Sequence, residues 1–168
     1  MAINFTPKTG QVLECDFGQF GESGTRPLAR PDVNRRLPPE MVKNRLVIVL
    51  NGRLSRQSCI VVPLSTSLDR AKAGAGVHVE VAADLIPTFD YFERSKRWAK
   101  ADCVHTVSKL RLRVPATNGI PAERVVESDL LRRIQRAAVT AMNASSLLIP
   151  LDERALLIEA GWPQEQMS

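Results

Sequence analysis

Met41-Val42-Lys43-Asn44-Arg45-Leu46-Val47-Ile48-Val49-Leu50 is the stretch on which the fold turns. A short cationic lead-in opens directly into an apolar, β-branched run of strand type. Two later segments share its logic. Ile60-Val61-Val62-Pro63-Leu64 ends in the hydroxyl cluster Ser65-Thr66-Ser67, and Trp98-Ala99-Lys100-Ala101-Asp102-Cys103-Val104-His105-Thr106-Val107 carries charge within a hydrophobic run. Each sets polar groups at the end or on one face of a strand-like element. An arginine, hydroxyls, a lysine and an aspartate are thereby carried by rigid segments that can converge. Together they form a kit for handling a phosphodiester without a metal.

Outward from this stretch, the Thr9-Gly10 turn precedes a partly alternating strand from Gln11 to Phe17. Between Gly18 and Asn44 the composition shifts to glycine, proline and arginine. A segment this long without regular structure reads as a functional flap over the site, with a disordered insertion as the alternative. Strands at Arg45 to Leu50 and Ser58 to Leu64 are linked by Asn51-Gly52, a hairpin signal. Val77 to Val81 alternates, with His78 and Glu80 on the outer face of a half-buried strand. A strand follows from Ala99 to Val107, and Lys109 to Val114 prolongs the sheet. Ser128 with Asp129 caps a helix whose apolar face is Leu130, Leu131, Ile134, Ala137, Ala138, Ala141 and Met142. The reading divides the chain into a domain at 1–145 and a tail at 146–168 with a short helix, where Trp162 is a candidate docking residue.

The 168 residues suit one domain and carry a formal charge of +5. That balance favours a polyanionic partner or plain solubility. Arg26, Arg30, Arg35, Arg36, Lys43, Arg45, Arg53 and Arg56 are opposed only by Asp32 and Glu40 across their stretch. A solvated basic surface is one reading; a phosphate-attracting rim, sensitive to salt, is the other. Cys15, Cys59 and Cys103 have no CxxC spacing and read as small buried hydrophobes in a reducing cytosol. His78 and His105 have no metal-ligand spacing, so no metal and no cofactor are expected. No secretory segment is evident near Met1, and no apolar stretch approaches the ~20 residues that span a bilayer, so a cytoplasmic protein is expected.

From about Gly10 to about Met142 the chain resembles the PemK/MazF family of toxin endoribonucleases from type II toxin–antitoxin modules. The matching segments are Gly10 to Phe17, Lys43-Asn44-Arg45 into Val47-Ile48-Val49-Leu50, and Val62-Pro63-Leu64-Ser65-Thr66. His78-Val79-Glu80, Ala101-Asp102-x-Val104-x-Thr106-Val107 and the closing helix complete the series. The resemblance implies a mainly β fold, an SH3-like small β-barrel with a C-terminal helix, here bearing a long Arg/Pro/Gly-rich loop. It also implies a homodimer that cuts single-stranded RNA without metal. The ribose 2′-OH attacks the adjacent phosphate, leaving a 2′,3′-cyclic phosphate and a 5′-OH. An acidic, partly disordered antitoxin would cover the same groove as the RNA.

Carried over by position, Arg45 matches the arginine on the scissile phosphate, and a planar guanidinium fork suits phosphate oxygens. Ser65 matches the hydroxyl after the second core strand, with Thr66 as a neighbouring donor. Asp102 matches a proposed base, and Lys100 falls where one branch has an arginine acting as acid. Residues two apart on a strand share a face, so Lys100 and Asp102 are expected to address one phosphate together. The chain departs from the family pattern in having Leu46 where proline is usual, a longer preceding loop, lysine at 100, and a tail beyond Met142. The bland alternatives are a surface cation at 45, a helix cap at Ser65 and Thr66, and a solvated Lys100–Asp102 pair. A same-fold toxin that acts by binding, of the gyrase-inhibitor type, or a non-catalytic relative is the competing function.

Overall fold

The computed structural model describes residues 2–18 and 41–148. Its first three strands, β1 (Gln11–Asp16), β2 (Asn44–Asn51) and β3 (Ser58–Ser65), form an antiparallel meander. A short helix α1 (Arg70–Gly74) leads to β4 (His78–Val81), and β5 (Arg97–Lys100) follows. Then come β6 (His105–Ser108), β7 (Leu112–Arg113), the small hairpin β8 (Ala116–Thr117) and β9 (Ile120–Pro121), β10 (Arg124–Val125) and the main helix α2 (Ser128–Ala141).

The sheet runs β10-β1-β2-β3-β5-β4, with β6 also on β3 and β7 also on β1. The 3-10 turn Lys109–Arg111 joins β6 to β7, so the circuit from β1 through β2, β3 and β6 returns to β1 through β7. This curls the sheet into the small SH3-like barrel expected from the sequence. Leu13, Cys15, Phe17, Val47, Val49, Cys59, Val61, Val107 and Leu112 fill its interior. The alternate residues Val12, Leu46, Ile48, Val62 and Leu64 point outward into a second core with Val79, Val81, Ala99 and α2. β1 to β3 are therefore buried on both faces, which is why the β2 and β3 segments read as apolar runs instead of alternating. The buried face of α2 is Leu130, Ile134, Ala137 and Ala138, while Met142 is exposed.

Several local expectations are corrected. The strand expected from Ala99 to Val107 is broken by a 3-10 turn, Ala101–Cys103, where β3 hands its pairing from β5 to β6. Gly52 opens a longer connection, 52–57, and not a two-residue turn. It is required by close approach, since a Cβ there would sit 1.9 Å from the Pro7 carbonyl oxygen. Asp69 caps α1 by accepting from the Lys72 amide at 3.1 Å, so Ser65 and Thr66 do not cap it. Glu127 occupies the N-cap of α2 without a side-chain bond, and Ser128 is already helical. The helix ends with Asn143 in the left-handed region, φ 57°, and the Ala144 amide donating to Val139 O at 3.0 Å.

Cys15 and Cys59 are buried and Cys103 is half-buried. Among the described residues no helix is long and apolar enough to cross a membrane. The expected flap, with Arg26, Arg30, Arg35 and Arg36, and the tail with Trp162 lie outside the described residues.

Candidate functional site

Strand register assembles the site. Ser65 stands opposite Trp98 and Trp98 opposite Glu80; one step along, Lys100 stands opposite His78. Val47 pairs with Pro63 and Ile48 with Val62; the ladder ends there, two residues short of Arg45 and Ser65, which share a face by alternation. Residues opposed across an antiparallel ladder share a face. Arg45, Ser65, Trp98 and Glu80 thus form one row, with Lys100 and His78 in the next. All lie on the face opposite Leu64, Ala99 and Val79, past the mouth of the barrel.

Arg45 is aimed by its lead-in. Lys43 adopts φ 69°, unusual for a residue with a side chain, and its backbone exchanges bonds with Phe17 and Gly18. The Arg45 Nε then donates to Val42 O at 3.2 Å. A second guanidinium lies nearby: Arg97 is buried, sits over the Phe92 ring at 5.8 Å and donates to Glu93 O at 2.8 Å. Burial first, and the charge of Arg45 next, lower the pKa of Arg97. Arg97 nevertheless lies on the Ala99 face of β5, opposite the row that holds Lys100.

Lys100 and Asp102 are joined through an intermediary. Asp102 sits on the 3-10 turn, not on a strand, so its relation to Lys100 is not that of strand neighbours two apart. His78 Nε2 donates to Asp102 Oδ1 at 2.8 Å, and Lys100 Nζ donates to His78 Nδ1 at 3.3 Å. Lys72 Nζ, from α1, donates to Asp102 Oδ2 at 2.5 Å. The carboxylate fixes the tautomer of the imidazole, because only Nε2–H can donate to it. Burial opposes the charge on Asp102, yet hydrogen bonds and charge from Lys72 and His78 outweigh it and hold the carboxyl below its usual range. Burial lowers the pKa of Lys100 against the pull of Asp102 and Asp69. Its hydrogen bond to Asp102 is the main reason the Lys72 ammonium is raised. A firmly ionised carboxylate and a lysine that releases its proton more readily are thus held on one rigid frame.

His78 was expected on the outer face of β4; its side chain is 2% exposed, beneath the 3-10 turn. Ser65 is buried and accepts from the Ser67 amide at 3.2 Å, while Thr66 is exposed just beyond it. Lys43 lies two residues from Arg45 in the same lead-in. Arg53 and Arg56 fall in the 52–57 connection at the far end of β2, roughly 25 Å along the strand from Arg45. The structure does not bring them to this site. Lys72, His78 and Arg97 were missed. Arg97 had a legible signal, being adjacent to Trp98 in the third segment; Lys72 had none.

The sequence profile of the PemK-like, MazF-like toxins of type II toxin-antitoxin systems matches residues 8–140. The chain belongs to the PemK/MazF family. The putative uncharacterized protein YifN of Escherichia coli (strain K12) is 45% identical to this PemK/MazF chain over 148 residues, covering 88% of this chain and 99% of YifN. An uncharacterized protein of Haemophilus influenzae is 37% identical, covering 84% and 94%. A solved MazE-MazF structure from Deinococcus radiodurans aligns over 83% of this chain and 98% of that one, at 13% identity and a TM-score of 0.48.

Proposed function

We propose that this toxin is an endoribonuclease that cuts single-stranded RNA without a metal ion, leaving 2′,3′-cyclic phosphate and 5′-OH ends, and so inhibits translation. Membership of a family whose members are endoribonucleases supports the reaction class. The observation that carries the reading is the Lys72–Asp102–His78–Lys100 network, set on the same face as Ser65 and Arg45.

The cleavage needs a base for the 2′-OH, an acid for the leaving oxygen and donors for the charged phosphorane-like state. Asp102 stays ionised and accepts the 2′-OH proton once the half-exposed Lys72 turns from it toward phosphate. Lys100, with its lowered pKa, delivers a proton to the departing 5′-oxygen. Arg45 clamps the phosphate oxygens, and Ser65 or Thr66 adds a hydroxyl donor. His78, too buried to meet RNA, positions both proton-transfer groups. These cations supply the charge stabilisation that a metal would otherwise bring.

Both Asp102 oxygens are engaged, which favours the second reading, a toxin of this fold that acts by binding. Incubation of purified protein with a long RNA in EDTA separates the two. Cleavage with cyclic-phosphate ends is expected; intact RNA, or a strict need for magnesium, contradicts the proposal. As partners we propose an acidic antitoxin and a second copy of this chain, acting in the cytoplasm.

A further inference from the structure

We propose that a groove at the start of β2, on the face of the strand opposite Arg45 and walled by Glu14, Asn44, Tyr91, Phe92 and Arg113, reads a guanine base of the RNA. The inference rests on the RNA-cleaving function proposed above. The groove encloses about 410 Å³ on the outer face of β1 and β2. Asn44 precedes Arg45 in the chain, and Phe92 carries Arg97, whose guanidinium senses the Arg45 charge. The groove and the Arg45 row lie on opposite faces of β2 at its start, so a nucleotide held here would reach the phosphate at Arg45 around the end of the strand.

Glu14 is the feature that demands a ligand. It is 8% exposed, yet among the described residues nothing donates to its carboxylate. Its cross-strand neighbours are Leu46 on one side and Arg113 on the other, and no ion pair joins it to Arg113. Within the protein the carboxylate has no donor, so a ligand that replaces water in the groove meets two acceptor oxygens. The base edges differ in what they offer. Guanine presents two adjacent donors, N1–H and N2–H, matched to the two oxygens of one carboxylate. Cytosine and adenine set a single exocyclic donor beside a ring acceptor, which a carboxylate repels. Uracil has one donor between two carbonyls. Asn44, which lines the same groove from its place opposite Asp16, offers an amide N–H for guanine O6. Tyr91 is 85% exposed, an unusual position for a ring, and provides a stacking face.

Cleavage-site mapping on a long RNA tests the proposal directly. The wild-type protein is expected to show guanine at one fixed position beside the cut. Replacing that guanine by inosine, which lacks the N2 amine, should lower kcat/KM, with the full two-bond contact worth roughly 5- to 150-fold. Glu14→Gln, nearly isosteric, should lose the guanine preference and the sensitivity to inosine together. Absence of any fixed guanine, or a preference unchanged in Glu14→Gln, overturns the subsite while leaving cleavage standing. If the protein does not cut RNA, anisotropy with dye-labelled 2′-O-methyl hexamers bearing guanine or inosine reads the same contact. Discrimination that Glu14→Gln abolishes supports the subsite, and equal binding of the two hexamers by the wild type overturns it. Should Glu14→Gln not fold, Tyr91→Ala at its exposed position is the second variant. It is expected to weaken the guanine oligomer by roughly 5- to 150-fold, and unchanged affinity contradicts the stacking assignment.

Discussion

Asp102 has both oxygens occupied and Lys100 has a proton held loosely by burial; this division fixes the chemistry to be tested at single residues. The proposed cleavage requires Asp102 ionised and Lys100 protonated. The Asp102 carboxyl is depressed below 3.8, so activity should persist down to that range and fall only as pH drops through it. Lys100 is lowered from 10.5, so activity should decline at alkaline pH sooner than for an ordinary lysine. Lys100→Arg, whose guanidinium gives up its proton far less readily, should lower the plateau rate and remove that alkaline limb in a pH–rate profile; an unaltered rate and limb would assign the acid elsewhere. Arg45→Ala should reduce the rate by roughly 10²–10³ with the circular dichroism spectrum preserved, as for loss of one transition-state donor. Arg45→Lys should restore only part of it, because an ammonium lacks the fork.

Among the elements, the β2–β3 hairpin is both the spine of the barrel and the carrier of Arg45 and Ser65. Gly52→Ala forces a Cβ to within 1.9 Å of the Pro7 carbonyl oxygen, backbone that cannot step aside cheaply. A destabilisation of about 1–3 kcal/mol or more is expected in urea unfolding; an unchanged midpoint would mean the Pro7 segment is not held there. At the other end, Lys43→Gly relieves a left-handed lysine and should raise stability by roughly 0.5–1 kcal/mol, read as a higher Tm. These elements also show what a sequence can and cannot disclose. The apolar runs at 46–50 and 60–64 and the 3.6-residue rhythm of Leu130, Ile134, Ala137 and Ala138 are local signals, and they were legible. The break at Ala101–Cys103 arises because β3 changes partners there, a tertiary event with no local mark. His78 follows from it: alternation places the side chain opposite Val79, but only the folded turn bearing Asp102 covers it. Lys72 meets Asp102 across 30 residues of chain, a contact that spacing cannot foretell.

For the whole molecule, the basic character and the shared face predict competition between two anionic ligands. An acidic antitoxin peptide titrated into a cleavage reaction should suppress it, and both interactions should weaken steeply with salt. Independent, simultaneous binding of peptide and RNA would contradict a shared groove. Sedimentation at micromolar concentration should give the mass of two chains; a single-chain mass would contradict the dimer. The central claim is that this molecule uses the RNA's own 2′-OH as nucleophile. Its most direct measurement is the cleavage rate, in EDTA, of an oligoribonucleotide carrying one 2′-deoxynucleotide on the 5′ side of the mapped cut. The account predicts cleavage of the all-ribose strand to a cyclic phosphate and none at the substituted position. Equal cleavage of both strands would contradict it.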